Sequence, residues 1–177
     1  MLGVVTLGAL EGILVAVALA MLVLLIRSSR PADSVLGRVE GLSGFHNVAR
    51  HDEATTIPGL VLYRFNASVI FFNAAYFKRR VLATVSGRPG TRWVVVDGGP
   101  IVHLDSTGAD TLAALADELA AKGVRLMLAD VHARVQRMLE RSGALERLGA
   151  GAVFPTLRSA VEAYESRAVN QKVEVAR

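Results

Sequence analysis

"HLDSTGADTL", residues 103–112, decides how this chain folds. A turn from strand to helix needs only a glycine and one capping residue. Here Asp105, Ser106, Thr107 and Gly108 stand in a row between an apolar run and a helical pattern. Two readings fit. In the first, Thr107 and Asp110 form a capping box, the hydroxyl accepting from an amide three residues on and the carboxylate answering at the cap. In the second, the helix start is a phosphate site, because a helix N-terminus offers free N–H groups and the positive end of a dipole. A phosphoserine there gains from those amides and is repelled by Asp105 and Asp110. Ser106, and Thr107 beside it, are therefore candidates for a reversible charge switch, with Asp105, Gly108 and Asp110 as the docking surface around them.

Outward from that stretch the pattern alternates. "RWVVVD" (92–97) is a continuous apolar run, as suits a strand covered on both faces. A helix is expected from about Gly108 to Lys122, with Leu112, Leu115 and Leu119 on one stripe and Gly123 as its stop. "VRLMLA" (124–129) is the next strand. Val131, Val135, Met138 and Leu139 line a further helix that ends at Ser142–Gly143. "AVF" (152–154) is a last short strand, and Pro155 opens a C-terminal helix at the N1 position. On the other side, "LVLYRF" (60–65) and "VIFF" (69–72) are expected as two strands joined by a tight reversal at "NAS". Asn73 then caps a helix to about Ser86, with Phe77, Val81 and Val85 inward and Gly87 at its end. Strand–helix repetition with right-handed crossovers gives a small α/β layer. No internal repeat is visible.

The chain begins differently. "VVTLGALEGILVAVALAMLVLLI" (4–26) carries one charge, Glu11. As a helix it reaches about 34 Å, enough to cross a bilayer core. A cleaved signal peptide needs a basic start and a small-residue cleavage site after the apolar core; neither is present, so a retained span is the better reading. Either one helix runs through with Glu11 near its outer end, or residues 1–10 close one helix and residues 12–27 form the next. Arg27, Arg30 and Arg38 follow the span, which places the remainder in the cytoplasm by the positive-inside rule. Pro31 stops the helix. The expected division is a membrane segment at 1–27, a Gly- and Pro-containing linker at 28–58 with a short strand near Val35–Val39, a domain at 59–169 and a flexible tail at 170–177.

Composition excludes several chemistries. Hydrophobic residues make up 52% of the 177, and the net charge is +4. No basic run exceeds Lys78–Arg80, which argues against a nucleic-acid partner. With no cysteine, disulfides, thiolate catalysis and cysteine-bound zinc are excluded. His46, His51, His103 and His132 show no metal spacing, and no nucleophile-elbow or phosphate-cradling loop occurs. No cofactor, metal or catalytic residue is expected. Asp97 could be a phospho-acceptor at a strand end, but the first strand lacks the acidic pair such chemistry needs; simple solvation of Asp97 fits better. Trp93 is expected in the core. Arg134, Arg137, Arg141 and Arg147 read as a solvated face, with a membrane or an acidic partner as the alternative.

The residues also resemble a known family. Arg30–Pro31, Leu36–Gly37–Arg38, Pro58–Gly59, Arg64–Phe65, Phe71–Phe72–Asn73–Ala74 and Asp105–Ser106–Thr107–Gly108 occur in order, at spacing similar to the C-terminal end of SulP/SLC26-type anion transporters. That end comprises the last transmembrane helix followed by a STAS domain. The resemblance implies a mixed-sheet STAS fold with about four helices, a cytoplasmic location, and a regulatory, non-enzymatic role in transport of sulfate or another inorganic anion. It implies homodimers, and transporter helices supplied from outside this chain, which would make it a C-terminal fragment. STAS domains are similar to bacterial anti-sigma factor antagonists, in which the serine after the motif aspartate is phosphorylated by a partner kinase; Ser106 holds that place. The alternative is accordingly a free-standing, membrane-tethered phospho-switch with a serine kinase as partner. Asn66 and Ser68 depart from the family pattern, which usually has an acid and a proline there; both fall in the expected first hairpin, where they bear on its partner contacts.

Overall fold

The long apolar run makes the first element among the described residues a helix, α1 (Ala9–Ser29), in the computed structural model, which describes residues 8–175. Glu11 lies in its first turn, where a carboxylate is favoured by the helix dipole. The 20 residues Leu10–Ser29 have a mean hydropathy of 2.4 and are long and apolar enough to cross a membrane. The version in which residues 1–10 close a separate helix falls largely outside the described residues. A second unit begins at Ala32.

The first strands of that unit arise from the stretch expected to be a linker with one short strand near Val35–Val39; that strand forms, two residues earlier, as a member of the sheet. β1 (Asp33–Gly37) pairs antiparallel with β2 (His46–Asn47) on one side and with β3 (Leu60–Phe65) on the other. The glycines at 37, 41 and 44 made this stretch look like a connector. Leu36 and Val39 are nevertheless buried, and Arg38 exchanges backbone hydrogen bonds of 2.8 Å with Thr55. Asp33 fixes the strand from its first residue. It accepts the Tyr63 hydroxyl at 2.8 Å and the Arg80 Nε–H at 3.0 Å.

α2 (Ala74–Ser86) follows β3, but "VIFF" does not form the expected strand and there is no hairpin. Only Val69 makes a bridge, and it is parallel, to Leu104. The physical reason is Asn73. Buried at the head of α2, it turns its amide back into the loop: Oδ1 accepts the Ile70 N–H and Nδ2 donates to the Ser68 carbonyl, each at 2.9 Å. Residues 68–73 are thereby held as a turn.

The remaining elements are β4 (Trp93–Asp97), α3 (Ser106–Ala120), β5 (Arg125–Ala129), α4 (Ala133–Arg141), α5 (Ala144–Leu148), β6 (Val153–Phe154) and α6 (Leu157–Val175). Strand order in the six-stranded sheet is β2–β1–β3–β4–β5–β6, with β3 to β6 parallel. All five residues of β4 are buried, as a central strand requires. α3 packs against α2, α4 and α5, while α6 packs on β4, β5 and β6. Trp93 meets the α6 side through Tyr164, ring centroids 5.5 Å apart.

α5 is an additional short helix that the sequence pattern did not separate from α4, so the described residues of the domain carry five helices. Gly143, at φ 72°, provides the break between them. Pro155 is not at N1 of the last helix; it lies two residues before it. Thr156 and Ser159 instead cap that helix reciprocally, the Ser159 N–H donating to Thr156 Oγ1 at 3.1 Å and the Thr156 N–H to Ser159 Oγ at 3.2 Å. The helix continues to Val175, past residue 170 where a tail was expected; Ala176 and Arg177 lie outside the described residues.

Candidate functional site

The C-terminal ends of parallel strands are where α/β sheets bind partners, because loops and helix N-termini converge there. Two arrangements occupy that edge.

The first is the start of α3. Asp105 has extended backbone angles and is the N-cap, so the helix begins one residue earlier than a Thr107 cap requires. Its Oδ1 accepts the Gly108 N–H at 2.7 Å. Its Oδ2 accepts the Phe71 N–H at 2.8 Å, from the turn ahead of α2. One carboxylate thus closes the helix end and ties it to a second loop. The Thr107–Asp110 box does not form: Asp110 is exposed, and the Thr107 carbonyl accepts the Thr111 hydroxyl at 2.7 Å. Gly108 and Ala109 are buried against the Val69–Leu104 bridge. A Cβ at Gly108 would lie 2.3 Å from the Val69 carbonyl oxygen.

These contacts leave Ser106 and Thr107 facing outward. Both are exposed, and among the described residues the Ser106 hydroxyl has no hydrogen-bond partner. Phe71, whose N–H bonds Asp105, is 70% exposed, and Val102, four residues ahead of Ser106, is 59% exposed. Of the site residues expected from the sequence, the structure brings Asp105, Ser106, Thr107 and Gly108 together on one turn. Asp110 lies a turn further along and touches none of them through its side chain.

The second arrangement was not legible as a site. An open groove of about 700 Å³ is lined by Arg64, Asp97, Gly99, Asp130, Thr156 and Arg158, among others. Asp97 is 3% exposed, not solvated as expected. It accepts the Arg64 Nε–H at 2.6 Å and the Gly99 N–H at 3.1 Å. That ion pair and its burial leave no free carboxylate for a phospho-acceptor role. Arg64 and Asp97 are 33 residues apart but face each other in the β3–β4 register, which is the signal that finds them once the strands are aligned. Asp130 adopts φ 55°, a left-handed angle that aspartate tolerates better than most residues. His132 Nε2 lies 2.8 Å from the Gly99 carbonyl oxygen; since a carbonyl only accepts, that nitrogen carries the proton.

The other singled-out residues are structural. His46 bonds the Ser43 carbonyl, and its ring meets that of His51. Among the described residues no group of three or more metal-ligating side chains assembles. Arg147 is ion-paired with Asp117 of α3, while Arg134, Arg137 and Arg141 remain exposed on α4.

Residues 52–160 match the STAS domain family. A probable sulfate transporter of Mycobacterium tuberculosis is 39% identical over 162 residues, which cover 91% of this chain and 29% of that protein. The chain therefore spans under a third of the length of that relative. Among solved structures, the murine Solute Carrier 26 family member A9 anion transporter superposes with a TM-score of 0.77 at 23% identity, over 88% of this chain and 26% of that one. The anti-sigma factor antagonist SpoIIAA in its unphosphorylated form matches with a TM-score of 0.52 at 13% identity, over 63% of this chain and 93% of that one. At those identities the two structures establish a common fold.

Proposed function

Given that this chain belongs to the STAS domain family, we propose that it is the cytoplasmic regulatory and docking module of a SulP-type transporter for sulfate or another inorganic anion. The carrying observation is the alignment with the mycobacterial sulfate transporter. It extends over 91% of the chain and thus takes in much more than residues 52–160. In this reading α1 is a membrane span, and the anion path is built by further membrane helices outside these residues, because one helix cannot enclose a substrate. The domain performs no catalysis. Its working surface is the exposed turn at Ser106–Thr107, held rigid by Asp105, together with exposed Phe71 and Val102. Self-association into a homodimer belongs to the same proposal.

A second reading rests on the free Ser106 hydroxyl: a membrane-tethered phospho-switch acting by itself, with a serine kinase as partner. A phosphoryl group at the first residue of α3 would meet helix N–H groups and the charge of Asp105 together, so modification would change what docks there.

Immunoblotting of membrane fractions with an antibody against residues 100–177 separates the readings. A band at the mass of a whole transporter supports the first. A membrane band at the mass of 177 residues alone overturns it and supports the second.

A further inference from the structure

At the opposite edge of the sheet, Trp93 gathers two positive charges. The guanidinium carbon of Arg125 lies 5.3 Å from the indole centroid, and that of Arg167 lies 5.3 Å from the same centroid. The placement follows from the fold. Arg125 opens β5 directly opposite Trp93 in the β4–β5 register. Arg167 comes one helical turn after Tyr164, whose ring meets the indole edge. The indole is buried, whereas both arginines are exposed.

Among the described residues neither cation meets a carboxylate, and no ion pair involves Arg125 or Arg167. Glu165, two residues before Arg167, is committed to Arg38 through bonds of 2.9 and 3.3 Å. Partial burial, and then the charge of Arg167, make the Arg125 guanidinium easier to deprotonate than usual. Two like charges on one ring, with Glu165 engaged elsewhere, leave a concentrated positive field with no counter-charge among the described residues. Stacking on an indole occupies the guanidinium face and leaves its N–H edge free, and that edge is the one that recognises oxyanions.

We propose that Arg125 and Arg167, held on Trp93, form a binding site for a dianionic tetrahedral oxyanion, either free sulfate or phosphate or the phosphate group of a larger molecule. The site is separate from the α3 turn and does not depend on how that turn is used. An anion bound there would join β5 to α6 across the buried indole.

Trp93 is the sole tryptophan of the chain and reports directly. The full chain in detergent micelles would be titrated with sodium sulfate, and separately with sodium phosphate, with ionic strength held constant by sodium chloride. The expected result is a saturable change in Trp93 emission. Arg125→Gln and Arg167→Gln should each raise the half-saturation concentration about tenfold, and Arg134→Gln on α4 should leave it unchanged. Saturation by both anions supports a site for the dianion itself, and saturation by phosphate alone supports a phosphate-group ligand. A linear response equal to that of chloride overturns the proposal, as does unchanged half-saturation in both glutamine variants. Should a glutamine variant fail to fold, Arg125→Lys and Arg167→Lys keep the charge and lose the planar fork; weakened binding in these is expected, and wild-type binding in both would refute the site.

Discussion

Replacing Gly108 by alanine should destabilise the domain, against the direction that helix propensity gives. Gly108 is the third residue of α3, and alanine is favoured over glycine in a helix interior by about 1 kcal/mol. The added Cβ, however, would sit 2.3 Å from the Val69 carbonyl oxygen, 3.0 Å from the Val69 carbonyl carbon and 2.7 Å from Leu104 Cδ1. The leucine end can turn away; the Val69 backbone cannot move freely. It is held by the bridge to Leu104 and by its own N–H donating to the His103 carbonyl at 3.2 Å. Relief of the overlap means displacing α3 from that bridge. The displacement weakens a backbone hydrogen bond worth about 1 kcal/mol and the Asp105 cap worth about 1–2 kcal/mol. Subtracting the propensity gain of about 1 kcal/mol leaves a net loss of about 1–2 kcal/mol, within the usual range for overpacking. Urea unfolding of the full chain in micelles, followed by the emission of buried Trp93, measures it. A Gly108→Ala protein as stable as the parent, or more so, would refute the close packing of α3 on Val69.

Asp105→Ala removes acceptors for both the Gly108 and the Phe71 amides, and the same unfolding assay should show a loss of about 2–4 kcal/mol. Ser106→Ala, one residue on, should change stability by no more than about 0.5 kcal/mol, because its exposed hydroxyl supports nothing; a large loss there would contradict a free switch residue. Asp97→Ala strands Arg64, and since Arg64 is partly exposed and can reach water, the expected cost is about 2–3 kcal/mol by thermal melting, less than for a fully buried pair. Burial first, and then the bond to Asp33, hold the Tyr63 hydroxyl protonated far above its ordinary value of 10.0. Its contribution is therefore complete below pH 10 and is lost as the pH rises further. Tyr63→Phe should cost about 1–2 kcal/mol at neutral pH and flatten the alkaline limb of a stability-against-pH curve; an unchanged limb would show that Tyr63 does not govern it.

The sheet was legible where apolar runs were long. "WVVVD" and "RLMLA" declare strands by burial on both faces, and the Leu112–Leu115–Leu119 stripe declares a helix. The reading failed where polar groups decided the backbone. In residues 28–58 the short strand expected near Val35–Val39 does form, as β1, but it starts at Asp33 and belongs to the sheet, because Asp33 meets Tyr63 and Arg80 at distances of 30 and 47 residues along the chain. "VIFF" has the composition of a strand, yet Asn73 bends it into a turn through bonds to Ser68 and Ile70. At the site, spacing favoured Thr107 and Asp110 as a box, but the choice of cap was settled by a tertiary contact: Asp105 alone can also serve the Phe71 amide. The Arg64–Asp97 pair needed the strand register before its two halves could be matched.

Both outer strands of the sheet, β2 and β6, are two residues long. A border so short offers a neighbouring chain almost no ladder of unpaired amides to extend, which is how natural sheets resist edge-to-edge growth. Two copies of this domain brought side by side therefore have little sheet edge to share at those two borders. A pairing of the kind proposed above would then run through helix faces or loops, where side chains rather than backbone set the partner and the association can be selective and reversible.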